Sequence, residues 1–397
     1  MKRRAMILAC ALFLLTSTGC WDMKEVQYIN IVTMMALDYK DGNFTVYARI
    51  ADISAWAKSE SGSSGSEMET AVGKGVGGSI SLAMNDLYKS AQQQTAWNHV
   101  NAILLSKSAL DYGILRIHEQ LMQFREVRYT PWVFASNMPI EKLLEAKPIL
   151  KRSEVFMLHP DKLYRQRSFL PPNNLQAVVR SVREPAETIL VPSIAFDKDW
   201  KLSGKPSDHH AFVEGAFPLR NGKNQGWLPR KKLLGYRWMV EKTSNSPITI
   251  YHEGKTAAVL ILKTPKIAKR VKLVDGTWTA DCRVVINGHI FEQTKALPLS
   301  ELTRLSAETV EREILQTFRV AQKNKVDLYN LEQSLYRGNP AAWRESFAGK
   351  GRSVQDIRLR VRVSIQLDNT EMYQYNYMRK QGLVPLEQIS DEHVNAG

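Results

Sequence analysis

Ile357-Arg358-Leu359-Arg360-Val361-Arg362-Val363-Ser364-Ile365-Gln366-Leu367 alternates apolar and polar residues without interruption. Successive side chains of a strand point to opposite faces, so this period of two predicts a β-strand with one apolar face and three arginines on the other. Such a strand needs a layer over its apolar side. Upstream, Leu302, Leu305, Val310, Ile314, Phe318 and Ala321 fall on one stripe of a helix predicted over Leu299 to Lys323. Ser300 is placed to cap it, Glu301 sits where the helix dipole favours an acid, and Lys323 and Lys325 sit where it favours a base. Before the helix, Phe212 to Leu219, Ile248 to Tyr251, Ala257 to Leu262, Arg270 to Val274 and Thr277 to Ile286 read as strands. Asn221-Gly222 and Asp275-Gly276 mark hairpins, whereas Leu233 to Val240 fits helix and strand equally. Asp327 to Tyr336 reads as a further helix closed by Gly338.

The N-terminal half shows the same mixture. Tyr28 to Leu37 and Phe44 to Ile50 flank Asp41-Gly42 and predict a hairpin. Ile80, Ala83, Leu87 and Ala91 recur at helical spacing, Val100 to Leu105 is a buried-strand run, Asp111 to Phe124 is a second helix, and Trp132 to Ala135 a further strand. Between them Lys58 to Gly78 is rich in Ser and Gly and is expected to be a mobile loop. Its end, Gly73-Lys74-Gly75-Val76-Gly77-Gly78, matches a dinucleotide fingerprint in letters only, because no acidic residue follows at the required distance. No cofactor is expected. The fold class is α+β: a mixed α/β multidomain protein, with three domains of mixed sheets and flanking helices. Boundaries fall near Trp200, at the turn-rich stretch Asp199 to Lys205, and near Pro265, giving domains over 20–200, 201–264 and 265–375 and a frayed tail over 376–397.

Lys2, Arg3 and Arg4, the apolar run Ala5 to Leu15 and the small residues up to Gly19 have the form of a secretory signal over residues 1–19. The run is too short for a permanent span, which needs roughly 20 apolar residues. Thr18-Gly19-Cys20 resembles the lipobox of bacterial lipoproteins, although Ser17 stands where Leu is usual. Cleavage between Gly19 and Cys20 would leave Cys20 as a lipidated N-terminus that tethers the body to a lipid bilayer. Of the three cysteines only Cys282 then remains unmodified, so no disulfide is expected. The 397 residues carry a formal charge of +14, and loss of the signal with its three cations leaves +11. That balance suits anionic partners such as lipid head groups or acidic protein faces, not nucleic acid, for which no basic-aromatic motif is present.

Chemistry-bearing motifs are missing. The chain has no nucleophile elbow, H-E-x-x-H, Cys/His pair or P-loop, so no catalytic or metal site is assigned. His209-His210 beside Asp208 reads as a solvated loop, Cys282 as a small buried residue, and Trp21, Trp56, Trp97 and Trp132 as core.

Gly19-Cys20-Trp21-Asp22, with Glu25 and a hydrophobic strand ending in Asp38, resembles the start of the C subunits of spore germinant receptors. These are the GerAC, or Ger(x)C, lipoproteins of endospore-forming bacteria. Ala96 to Ser106, Phe212 to Leu228, and Asp327 with Trp343 are similar to later segments of that family. The resemblance implies a non-enzymatic subunit of a nutrient germinant receptor, working beside integral-membrane A and B subunits on the outer face of the spore inner membrane or cell membrane. It also implies three mixed α/β domains. The rival readings are a solute-binding lipoprotein of an exported uptake system and a cell-wall-active enzyme. Within the receptor reading, Arg358, Arg360 and Arg362 are expected to face solvent or to dock on anionic lipid or an acidic surface of the membrane subunits.

Overall fold

The computed structural model describes residues 29–51, 70–124, 126–145, 169–197, 201–202, 205–206 and 210–368. The signal segment with Gly19 and Cys20, the Ser/Gly-rich residues 59–69 and the tail 376–397 lie outside the described residues. Two sheets organise the rest.

The first sheet is built on β1 (Ile29–Lys40), which pairs with β2 (Asn43–Ala51) through the Asp41-Gly42 turn. Both turn residues have positive φ, 52° and 81°, the geometry that matches the twist of paired strands. β3 (Thr70–Gly77) adds to β2, while β4 (Ala102–Ser106), β5 (Trp132–Ser136) and β6 (Thr188–Asp197) continue from β1 in parallel. β7 (His210–Arg220) closes this end antiparallel to β6. The parallel centre is why Val32 to Leu37 is buried without alternation: both faces are covered. One face packs against α1 (Ile80–Tyr88), α2 (Lys107–Tyr112), α3 (Ile114–Gln123) and, further along the chain, Leu175–Arg183. The other joins the apolar cluster that runs into the second sheet and includes α4 (Ile140–Glu145), ahead of α5 (Leu175–Arg183).

The Gly-rich stretch is therefore structural over its last part, and the expected mobile loop is corrected there: Thr70–Gly77 is a strand. A Cβ on Gly75 would lie 2.1 Å from the Ala83 carbonyl oxygen, and one on Gly77 would lie 2.6 Å from the Ala83 nitrogen. The alternate glycines let α1 lie directly on β3, which is a packing role and not a phosphate cradle.

The second sheet contains β8 (Ser246–His252), β9 (Lys255–Leu262), β10 (Lys266–Val274), β11 (Thr277–Gln293) and β12 (Ile357–Asp368). β11 is long enough to pair with β9 near one end and β10 near the other, and β12 runs parallel along its opposite edge. A parallel neighbour requires a crossover. It is supplied by α6 (Leu299–Asn324), whose Leu302, Val310, Ile314, Phe318 and Ala321 pack on the sheet's inner face. Leu299 already begins this helix after Pro298, so Ser300 lies inside the first turn and does not cap it. α7 (Leu331–Gly338) and α8 (Pro340–Ser346) follow; the predicted helix start at Asp327 is instead a connector that leads into α7. Leu233 to Val240, undecided from sequence, holds a 3-10 turn over Leu234–Trp238.

Both expected domain boundaries cut through sheets. Asp199 to Lys205 falls between β6 and β7, which pair from Thr188–Arg220 to Asp197–His210, and Pro265 falls between β9 and β10, which both pair with β11. Backbone pairing, which periodicity does not report, thus holds together pieces that turn residues alone separate. The α+β class stands, and no helix among the described residues is long and apolar enough to cross a membrane.

Candidate functional site

The three sequence-predicted arginines come together as expected: Arg358, Arg360 and Arg362 are exposed, and Leu359, Val361 and Val363 between them face the core. What sequence reasoning missed is their neighbours. Register places Arg358 beside Thr279, Arg360 beside Asp281 and Arg362 beside Arg283 on β11. On the other edge of β11, Thr279 meets Lys272, Asp281 meets Arg270, and Val285 meets Lys266 on β10. Lys266, Arg270 and Lys272 of β10 and Arg283 of β11 are exposed. Seven cations therefore share one outer face, against Asp281, which is already paired with Lys272 at 3.2 Å. The signal was present in the alternation of Lys266, Arg270 and Lys272, but only pairing shows that these residues face the same way as the arginines.

The inner face handles its single cation differently. Lys269, in register with buried Cys282, donates from Nζ to the Tyr329 carbonyl oxygen at 2.7 Å. Burial lowers the Lys269 pKa, while Cys282 and Asp327 nearby pull the other way. The Cys282 thiol is pushed up to about 11, chiefly by burial, so it is a packing residue with little thiolate character. Trp97 is fully buried and its indole nitrogen donates to Tyr88 at 2.7 Å, consistent with a core role. Trp21, Trp56 and His209 lie outside the described residues.

A second polar region joins the two sheets. Arg220 at the end of β7 grips Glu332 of α7 with two hydrogen bonds, 3.0 and 2.5 Å. Asn330 accepts from the Thr188 N–H at 2.7 Å, and Gln333 donates to Glu187 at 2.6 Å. Asp327, fully buried, accepts from the Glu332 N–H at 2.7 Å. Its carboxyl is pushed up to about 6 by burial and by Glu332, with the nearby Arg220 opposing. Beside this joint lies an open cleft of about 640 Å³, with Arg180, Glu187, Lys269 and Arg337 among its lining residues. Glu187 is satisfied there by Ser181 and Gln333, and Arg337 by Glu184 at 3.2 Å, so the cleft's charges are largely spent within the chain. No group of three or more His, Cys, Asp or Glu arranged to hold a metal occurs among the described residues.

Residues 22–196 match the family model for the spore germination protein N-terminal domain, and residues 214–371 match the model for the spore germination B3/GerAC-like C-terminal domain. The chain belongs to the GerAC, or Ger(x)C, family of spore germination proteins. Spore germination protein KC of Bacillus subtilis (strain 168) is 22% identical over 347 residues, covering 82% of this chain and 85% of that protein. The crystal structure of the GerBC protein superposes with a TM-score of 0.52 at 12% identity, covering 84% of this chain and 97% of that one, and confirms the α+β multidomain fold. The interval between the two family matches falls on the β6–β7 connection, so this Ger(x)C chain completes its first sheet with a strand from the second matched region.

Proposed function

We propose that this Ger(x)C chain is a lipid-tethered, non-enzymatic subunit of a nutrient germinant receptor, anchored through Cys20 beside integral-membrane A and B subunits. Its place is the outer face of the spore inner membrane or cell membrane. The observation that carries this reading is the pair of family matches, which together extend from residue 22 to residue 371. The bare basic face supports it. A body that works by contact needs exposed surface with unspent charge, and Arg358, Arg360 and Arg362 provide it where the inter-sheet cleft does not. Gly19-Cys20 is the processing site.

The test is a Cys20→Ala strain. The expected outcome is a folded protein that leaves the membrane fraction, and spores that lose their response to one class of nutrient while germinating normally with others. A protein retained in a detergent-free membrane pellet, with unaltered germination, would overturn the tether. Purified chain that binds a free nutrient in the absence of any membrane partner would favour the solute-binding reading instead.

A further inference from the structure

We propose that the outer face of β10, β11 and β12 is a docking plate for an anionic phospholipid bilayer, an inference that rests on the membrane-tethered reading and names the surface it leans on. Neighbouring strands are ~4.8 Å apart and alternate residues along a strand ~6.7 Å apart, so Lys266, Arg270, Lys272, Arg283, Arg358, Arg360 and Arg362 lie within roughly 10 by 20 Å. At 0.1 M salt the screening length is ~10 Å, so these charges repel one another and act on a ligand jointly. Among the described residues little offsets that repulsion: Asp281 is the one carboxylate there in register with the plate and it serves Lys272, while Asp368 at the far end of β12 is held by Lys263 at 3.0 Å.

The distribution favours a lipid surface over a protein partner. Protein interfaces concentrate their affinity in buried aromatic and apolar anchors surrounded by polar rim. Here the centre of the plate carries Ala268, Thr279 and Val285 and no large apolar side chain. Its cations come from three adjacent strands of one sheet, two apart along each, which spreads donors across an area instead of converging them on a point. A head-group layer offers phosphates in the same manner. Arginine adds geometry as well as charge, since its planar fork matches phosphate oxygens two at a time.

The test uses the full chain with Cys20→Ala, so that no acyl anchor forms, floated with vesicles of phosphatidylcholine alone or with about 30% phosphatidylglycerol. The N-terminal segment, with Lys2, Arg3 and Arg4 ahead of its apolar run, is the same in wild type and variants, so the part of the anionic preference that is lost on substituting the plate reads the plate. The expected result is about tenfold stronger binding to the anionic vesicles, falling to parity near ~0.5 M salt. R358Q/R360Q/R362Q should lose most of that preference, and adding R270Q and R283Q should remove the rest. Substituting three exposed cations elsewhere, K223Q/K231Q/K255Q, should leave it intact; an equal loss would mean net charge alone acts, and the proposal fails. It fails too if both vesicles bind equally. It fails in a third way if the preference emerges only after Glu387→Gln, Asp391→Asn and Glu392→Gln, which would show the chain's own C-terminal segment covering the plate. Salt-sensitive capture of a membrane protein without any lipid preference would assign the face to a protein partner and likewise overturn it. None of these results touches the Cys20→Ala germination phenotype, so failure here and failure of the receptor reading are distinguishable.

Discussion

The two sheets share one apolar cluster, yet they spend their polar residues in opposite ways. The first is covered on both faces, and β1 is buried continuously from Val32 to Leu37. The second packs its inner face against α6 and leaves the outer face of β10, β11 and β12 bare, with seven cations on it. Arginine illustrates the contrast within one residue type. Arg220 at the joint between the sheets is locked to Glu332, whereas Arg358, Arg360 and Arg362 have no ion pair among the described residues. The lesson is that a charge committed to a buried partner holds the fold, and a charge left in water is available to something else.

The strongest way to break this contrast is at the joint. Glu332→Ala leaves the Arg220 guanidinium, only 20% exposed, without its carboxylate. The expected cost is about 3–5 kcal/mol in urea unfolding, since removal of one member strands the other's charge. A loss below about 1 kcal/mol would place Arg220 with the surface arginines.

Asp327 sharpens the same point through pH. Its folded pKa of about 6 lies above the ordinary value of 3.8, so the folded chain holds a proton that the unfolded chain has released between those two limits. The contribution is therefore fully present below about 3.8 and lost as pH rises through about 6, on the order of 2–3 kcal/mol in total. Asp327→Asn keeps an acceptor for the Glu332 N–H but cannot ionise. It should flatten stability against pH across that window, and an unchanged slope would mean the proton is bound elsewhere.

In the first sheet, Gly75→Ala forces α1 away from β3, because the added carbon would meet Ala83 backbone at 2.1 Å. A destabilisation of about 1–3 kcal/mol is expected by thermal melting, with the sheet of β8 to β12 unaffected by hydrogen exchange. A neutral result would mean that α1 can lift without loss. The smallest effect on folding is predicted for R358Q/R360Q/R362Q, within about 0.5 kcal/mol. The same variant should lose most of the salt-sensitive preference for anionic vesicles while recovering membrane partners from detergent-solubilised membranes as the wild type does; a variant that keeps the full preference would reduce the face to solvated surface.

Much of this was legible in the linear pattern. The alternation of Ile357 to Leu367 marked β12 and the side on which its arginines stand, and the stripe from Leu302 to Ala321 marked α6. Asp41-Gly42, Asn221-Gly222 and Asp275-Gly276 marked turns whose residues all take positive φ. Glu253-Gly254 makes a turn of the same kind between β8 and β9 and went unread, because Glu gives no hint of a left-handed conformation.

What the sequence determined by itself is local: period, turn chemistry, the absence of catalytic motifs, and the resemblance that led to the family. Those signals arise from residues near one another along the chain. Only the tertiary structure decided that β6 pairs with β7 across the expected boundary, that the glycines of β3 seat a helix, and that Lys266, Arg270, Lys272 and Arg283 stand on the arginine face. Strand order and register are choices among distant segments, stabilised by burial and backbone pairing that no single stretch contains.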